Sequence, residues 1–321
     1  MKKTFHLSAV MLALTALFAS CSNKSVATEE VDYTQYVNPF IGTEGTGHTF
    51  PGACVPFGMI QTSPVTGAVG WNYCSEYINS DKEIWGFTQD HLNGTGCMDL
   101  GDVLVMPVTA RPARTNYRST YVKETETARP GYYSVELDQT GVKAELTATG
   151  HVAYHRYTYN KVDSAGVLID LQHGPSWNEN QYHSHVLACE VNKENETTIS
   201  GHIQNSVWVT KDVYFVVTFN KPIVAIADLP LAEKEKGNRI VASFAMNEGE
   251  QLEMKIALSS SSVEGAKKNL EAELPEWSFD EAVADAKKTW NTYLSRIQVT
   301  GTEEQKQNFY TCFYHALIQP N

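Results

Sequence analysis

Between about Tyr33 and Ser262 the apolar residues come in short runs broken by Gly, Pro, Asn and Asp, a texture that predicts many strands and few helices. Residues 213–219 (VYFVVTF) and 167–171 (VLIDL) are nearly continuous apolar runs, as expected of strands covered on both faces. Leu252, Met254, Ile256 and Leu258 alternate with Glu253, Lys255 and Ala257, which predicts a strand buried on one side only. No segment repeats. The expectation is a mainly β chain built as a large antiparallel β-sandwich.

After Ser262 the period changes from two to between three and four. Residues 263–274 read as a helix that stops before Pro275, and Ser278 with Glu281 form a capping-box pattern opening a second helix. Val283, Ala286, Trp290, Leu294 and Ile297 give that helix one apolar face. A further capping box, Thr302 to Gln305, opens a third helix with Phe309, Phe313, Ala316 and Leu317 on one face and Tyr310 and Tyr314 beside them. Burying one such aromatic stabilises by about 1.5–3 kcal/mol, so this face calls for packing partners. The expectation is the first helix of a helical domain cut short at residue 321; a helix folded back on the sandwich is the alternative.

The N-terminus follows a different rule. Lys2 and Lys3 precede an apolar run from Leu7 to Phe18 and then Ala19-Ser20-Cys21, the pattern of an export signal ending in a lipobox. Lipidation of Cys21 would anchor the chain to a membrane, the outer membrane in this reading, without crossing it. The expected organisation is a signal over 1–21, a polar tether over 22–32, the sandwich over 33–262, a helical linker over 263–300 and the start of the next domain over 301–321.

Composition narrows the function classes. Apolar residues make up 42% and charged residues 19%, enough for an ordinary core. The formal charge of −12 and the lack of a basic cluster argue against nucleic acid as a partner. Besides Cys21 there are five cysteines, Cys54, Cys74, Cys97, Cys189 and Cys312; no CxxC pair suggests zinc, and a disulfide among the first three stays open.

Candidate chemistry concentrates between Asn38 and Pro107. Glycines crowd the stretch 42–70, and Gly45-Thr-Gly47 lacks the remainder of a dinucleotide fingerprint. Asp90, Asp99 and Asp102 could be taken as a catalytic carboxylate set, but the Gly-rich loop fits turn-capping better. His91 could reach a cleft or serve as a hydrogen-bonded strut. His173, Trp177 and Asn178 follow a strand end, where binding groups often sit. His183 and His185 would share one face of a strand, with His202 as a third metal candidate lacking recognisable spacing, and His151 and His155 read as structural.

The segments NPFIGT, GHTFPGACVPFGM, QDHLNGTGCMDLGD, RPGYYSV, ELTATG, SVEGAKKNLEAE and EEQKQNFYTCFYHALIQPN, in this order, resemble successive landmarks of glycoside hydrolase family 92 across nearly the whole chain. The resemblance implies a supersandwich followed by an (α/α)6 barrel, of which linker helices and the first barrel helix would be present. It implies an inverting, calcium-dependent exo-α-mannosidase of the α-1,2 type, releasing mannose from α-mannosides such as N-glycans. The acid, the base and most calcium contacts would belong to the barrel, so this chain would hold no catalytic or metal-ligating residue and be inactive alone. Its share of the substrate site would be Trp71, stacked on a pyranose, with His91 and Trp177. A non-catalytic carbohydrate-binding lipoprotein is the competing reading.

Overall fold

The computed structural model describes residues 31–109, 117–161 and 164–319. The stretch expected to be an export signal, Cys21 and nearly all of the expected 22–32 tether lie outside the described residues.

Two antiparallel sheets face each other. The first runs Ala53–Cys54, Gln61–Val65, Gly86–Thr88, Leu104–Val108, Ala165–Asp170, Arg239–Phe244 and Ala225–Asp228. The second runs Val186–Lys193, Thr198–Ser206, Thr210–Phe219, Gln251–Ser259, Val152–Tyr159, Val142–Ala148, Tyr132–Leu137 and Thr127–Arg129. Inward side chains of both, such as Phe87, Val105 and Ile169 opposite Tyr133, Leu146 and Ile256, form one continuous core. The expected sandwich is present, with residues 165–170 buried throughout because neighbours cover both faces.

Among the described residues four α-helices accompany it: α1 (Glu179–Ser184), α2 (Val263–Glu273), α3 (Phe279–Leu294) and α4 (Glu303–Ala316). They correct several expectations. Strand Gln251–Ser259 is not open on one side, since Lys255 and Ala257 are buried beneath the helices. Ala257 packs with Ala266 of α2, and the Lys255 ammonium donates to the carbonyls of Leu274 and Glu276 at 2.8 and 2.7 Å, capping the end of α2. Ser278 precedes α3 but its hydroxyl makes no cap. Phe279 holds that first turn instead, packed against Tyr154 and under the Arg156 guanidinium. His183 lies in α1 rather than in a strand, because Asn178 caps a helix there through the Gln181 N–H.

The capping box of α4 at Thr302 forms as expected. The helix buries Tyr310, Tyr314 and Ile318. Their partners are Trp290 and Leu294 of α3 and Val37, Phe50 and Cys54 from the start of the domain. The Trp290 indole donates to the Cys54 carbonyl at 2.7 Å. Phe309, Phe313 and Leu317 flank this seam half-buried, and Ala316 is exposed. The five described cysteines are free thiols. Among the described residues no helix is long and apolar enough to cross a membrane.

Candidate functional site

Four loops at one end of the sandwich, around residues 42–52, 66–79, 89–102 and 172–178, converge on Trp71. Gly70 takes φ +91°, a conformation that suits glycine, and donates its N–H to the Ser176 carbonyl at 2.8 Å. The indole that follows is 46% exposed. Its inner side meets His48, ring centroids 4.5 Å apart and nearly perpendicular. Gly96 abuts the indole nitrogen so closely that an added Cβ would lie 2.8 Å from Nε1. His48 is itself fixed: Nδ1 donates to the Thr95 carbonyl at 2.9 Å, and its φ of +50° is strained for a side chain with a Cβ. One face of Trp71 is thus clamped while the rest faces solvent.

Beneath the clamp lies a buried carboxylate between two imidazoles. Glu76, 1% exposed, accepts from His173 Nε2 at 2.7 Å and the Thr88 hydroxyl at 3.0 Å, with His91 Nε2 at 3.4 Å. Burial alone would raise the Glu76 carboxyl; the His173 contact, aided by His91, outweighs it and holds the group below the usual range. His91 is held low by burial, against the pull of Glu76. Its Nδ1 donates to the Gln61 carbonyl at 2.7 Å. At 1% exposure His91 cannot touch a ligand, so the expected substrate contact is corrected to a strut joining the Trp71 loop to the sheet.

The three aspartates are also withdrawn from solvent. Asp102 is fully buried, with Lys211 Nζ at 2.7 Å and the Asn205 amide on its other oxygen. Burial and the neighbouring Asp102 charge push Asp90 well above the ordinary carboxylate range, while Lys211 overcomes burial to hold Asp102 below it. Asp99 takes Lys211 at 3.1 Å and the Val209 N–H at 3.1 Å. This set has its cation built in. Among the described residues no group of three His, Cys, Asp or Glu could hold a metal ion.

Trp177 is 38% exposed and follows Ser176, whose N–H donates to Ala68 at 2.7 Å; the Trp71 and Trp177 loops therefore share one wall. The other histidines disperse. His183 meets Glu235, His202 stacks on Tyr214 and pairs with Asp212, and His185 bonds the Tyr182 carbonyl. His151 pairs with Glu273, and His155 is buried among Thr62, Gln89 and Tyr157. The end of α4 closes the back of the site: Asn93 donates to the His315 carbonyl at 3.1 Å and Gln319 to the His91 carbonyl at 3.0 Å. Sequence reasoning gave no role to His48, Glu76 or Lys211. Gly47 and Gly52, which bracket residues 48–51, were the available signal in the sequence; in the structure their Cβ positions are blocked by backbone.

Residues 36–259 match the glycosyl hydrolase family 92 N-terminal domain and residues 265–321 the catalytic domain of the same family. A family GH92 α-mannosidase from Bacteroides thetaiotaomicron superposes with a TM-score of 0.83 at 33% identity, over 90% of this chain and 41% of that one. The same enzyme solved with mannoimidazole superposes equally well. A family GH92 inverting mannosidase from Bacteroides thetaiotaomicron VPI-5482, at 24% identity, has the same fold with a TM-score of 0.76, over 92% of this chain and 41% of its own. An uncharacterized secreted glycosidase of Arthroderma benhamiae is 24% identical over 93% of this chain and 43% of its own. The chain spans about two fifths of the length of these relatives.

Proposed function

Since the chain belongs to glycosyl hydrolase family 92, we propose that its described residues form the sandwich-side wall of a mannoside site, with Trp71 as the platform for the terminal mannose. In this proposal the whole protein is an exo-acting, inverting, calcium-dependent α-mannosidase of the α-1,2 type, acting on α-mannosides such as N-glycans. The observation that carries the reading is the Trp71 clamp: an indole fixed from behind by His48 and Gly96 and left 46% exposed. An apolar pyranose face finds a flat, pre-ordered surface there, and binding loses little to side-chain ordering.

The same geometry divides the labour. An inverting hydrolase needs two accessible carboxyl groups about 6.5–9.5 Å apart. Glu76, Asp90, Asp99 and Asp102 are all at least nine-tenths buried. The proposal therefore assigns acid, base and calcium ligands to catalytic-domain residues outside these 321, and to this wall the holding of the sugar. Anchoring through lipidated Cys21 and an outer-membrane location belong to the same proposal; labelled palmitate recovered on the parent and absent from Cys21→Ala checks them.

Titration calorimetry of the 321-residue chain with mannose and mannoimidazole tests the wall. Trp71→Ala should weaken binding by about tenfold, the loss of one aromatic stack. The chain with calcium should release no mannose from α-1,2-mannobiose. Turnover at an intact enzyme's rate would overturn the division of labour, and no heat at millimolar ligand would overturn the wall.

A further inference from the structure

The indole that most exposes itself is not at Trp71. Trp208, 63% exposed, sits on the turn between strands Thr198–Ser206 and Thr210–Phe219, next to Val209 at 52%. A lone exposed tryptophan on a hairpin tip means little. This one is joined to the candidate site by two independent ties. One Gln181 side-chain amide accepts from the Trp177 N–H at 3.0 Å and donates to the Val207 carbonyl at 3.3 Å, so the Trp177 loop and the Trp208 turn stand one amide apart. On the other side Asp99, at the end of the loop that carries Gly96, accepts from the Val209 N–H at 3.1 Å and is neutralised by Lys211. The turn is thus pinned to both loops that frame Trp71.

The parallel bridge of Val69 with Ser176 seats the Trp71 and Trp177 loops side by side, and Gln181 ties the Trp177 loop to the Trp208 turn. Three of the six tryptophans therefore line one rim, each with at least a third of its surface open. Leu187, at the bulge opposite Gln204 and Asn205, is 46% exposed, and Asn178, Glu179, Asn180 and Thr210, close in sequence to the two tryptophans, are exposed as well. Aromatic faces with hydrogen-bonding groups beside them suit a chain of sugar rings, each with one apolar face and a polar edge. An anionic ligand would ask for basic side chains, and Lys211 beside the Trp208 turn is already paired with Asp99 and Asp102.

Resting on the reading of Trp71 as the terminal-mannose platform, we propose that Trp177 and Trp208 form an extended subsite for the sugar residues that follow it in a manno-oligosaccharide. The subsite selects for chain length, while Trp71 alone serves the monosaccharide.

Calorimetry on the full chain with methyl α-mannoside and with a linear α-mannotriose tests this. The parent should bind the trisaccharide more tightly. Trp208→Ala should cost about five- to tenfold in trisaccharide affinity and leave methyl α-mannoside unchanged, with Trp208→Phe recovering part of the loss. Unchanged trisaccharide affinity, or equal weakening of both ligands, would overturn the subsite; so would a parent dimer in sedimentation that Trp208→Ala dissociates. Failure of the parent to bind either sugar removes the Trp71 reading beneath it, a result distinct from a trisaccharide affinity indifferent to Trp208.

Discussion

Replacing Lys211 by Met isolates what holds the aspartate cluster together. Asp102 is fully buried; Oδ1 keeps the Asn205 amide, but Oδ2 has only the Lys211 ammonium at 2.7 Å. Asp99 is better supplied, because the N–H groups of Leu100 and Val209 remain. Burial and the Asp102 charge hold the Asp90 carboxyl well above the ordinary carboxylate range. The loss therefore reduces to one buried carboxylate without its cation, and removing one partner of a buried pair costs about 3–5 kcal/mol. The lower end is expected, since Met refills the aliphatic volume and Asp99 stays satisfied. Against total stabilities of about 5–15 kcal/mol that is a large fraction. The pH dependence carries a sign. In the parent Asp102 is held below its unfolded value, so its stabilisation is present above that value and lost as pH falls through the folded one. In the variant burial without Lys211 raises the Asp102 carboxyl, so stability falls as pH rises past the unfolded value. Urea unfolding at pH 5 and pH 8 should show a gap between parent and variant that widens with pH, and Lys211→Met with Asp102→Asn should recover part of it. A gap below about 1 kcal/mol, or one equal at both pH values, would refute the reasoning.

Other outcomes follow from named contacts. Gly96→Ala places a Cβ 2.8 Å from the Trp71 indole nitrogen, so it should blue- or red-shift the tryptophan emission and weaken mannose binding while unfolding at nearly the parent's urea midpoint. Trp290→Ala removes a fully buried ring and the bond to the Cys54 carbonyl; a loss of about 3–5 kcal/mol and early proteolytic cleavage before α4 are expected. His155, driven by burial down to about 3, must stay neutral in the fold. The unfolded chain takes up a proton near the ordinary value of 6.5, so stability present above 6.5 should drain away as pH falls toward 3, and His155→Gln should flatten that slope in acid denaturation.

How much of this was legible in the residues varies by element. Strand Ala165–Asp170 announced itself, because a strand buried on both faces has to be apolar throughout. The open face assigned to strand Gln251–Ser259 was wrong since Lys255 looks like a solvent residue, and only the carbonyl ends of α2 explain why it is buried. The partners of Tyr310 and Tyr314 were invisible for a different reason: Val37, Phe50 and Cys54 lie more than 250 residues away, and helical periodicity says which face is apolar, not what covers it. Within the site, Trp71 was named through the family resemblance together with the stacking chemistry of an indole. Glu76 was missed because a single acid in a strand-poor stretch carries no spacing signal, and its importance comes only from the two histidines that the fold brings to it.

The seam between α4 and the start of the domain has a consequence for how the chain is made. Tyr33 and Tyr36 stack on Tyr310, Asn38 bonds the Thr311 hydroxyl, and Cys54 accepts from Trp290. A ribosome delivers residues 33–54 first and must elongate through some 250 more before their partners exist. Until then this opening segment has an apolar surface with no place to go, and closing so long a loop is a slow event compared with zipping the hairpins in between. The Trp71 loops, whose floor is tied to the last turn beyond α4 through His91 and Asn93, should be the last part of the wall to become rigid. Ligand-binding competence then follows the arrival of α4 rather than the formation of the sheets.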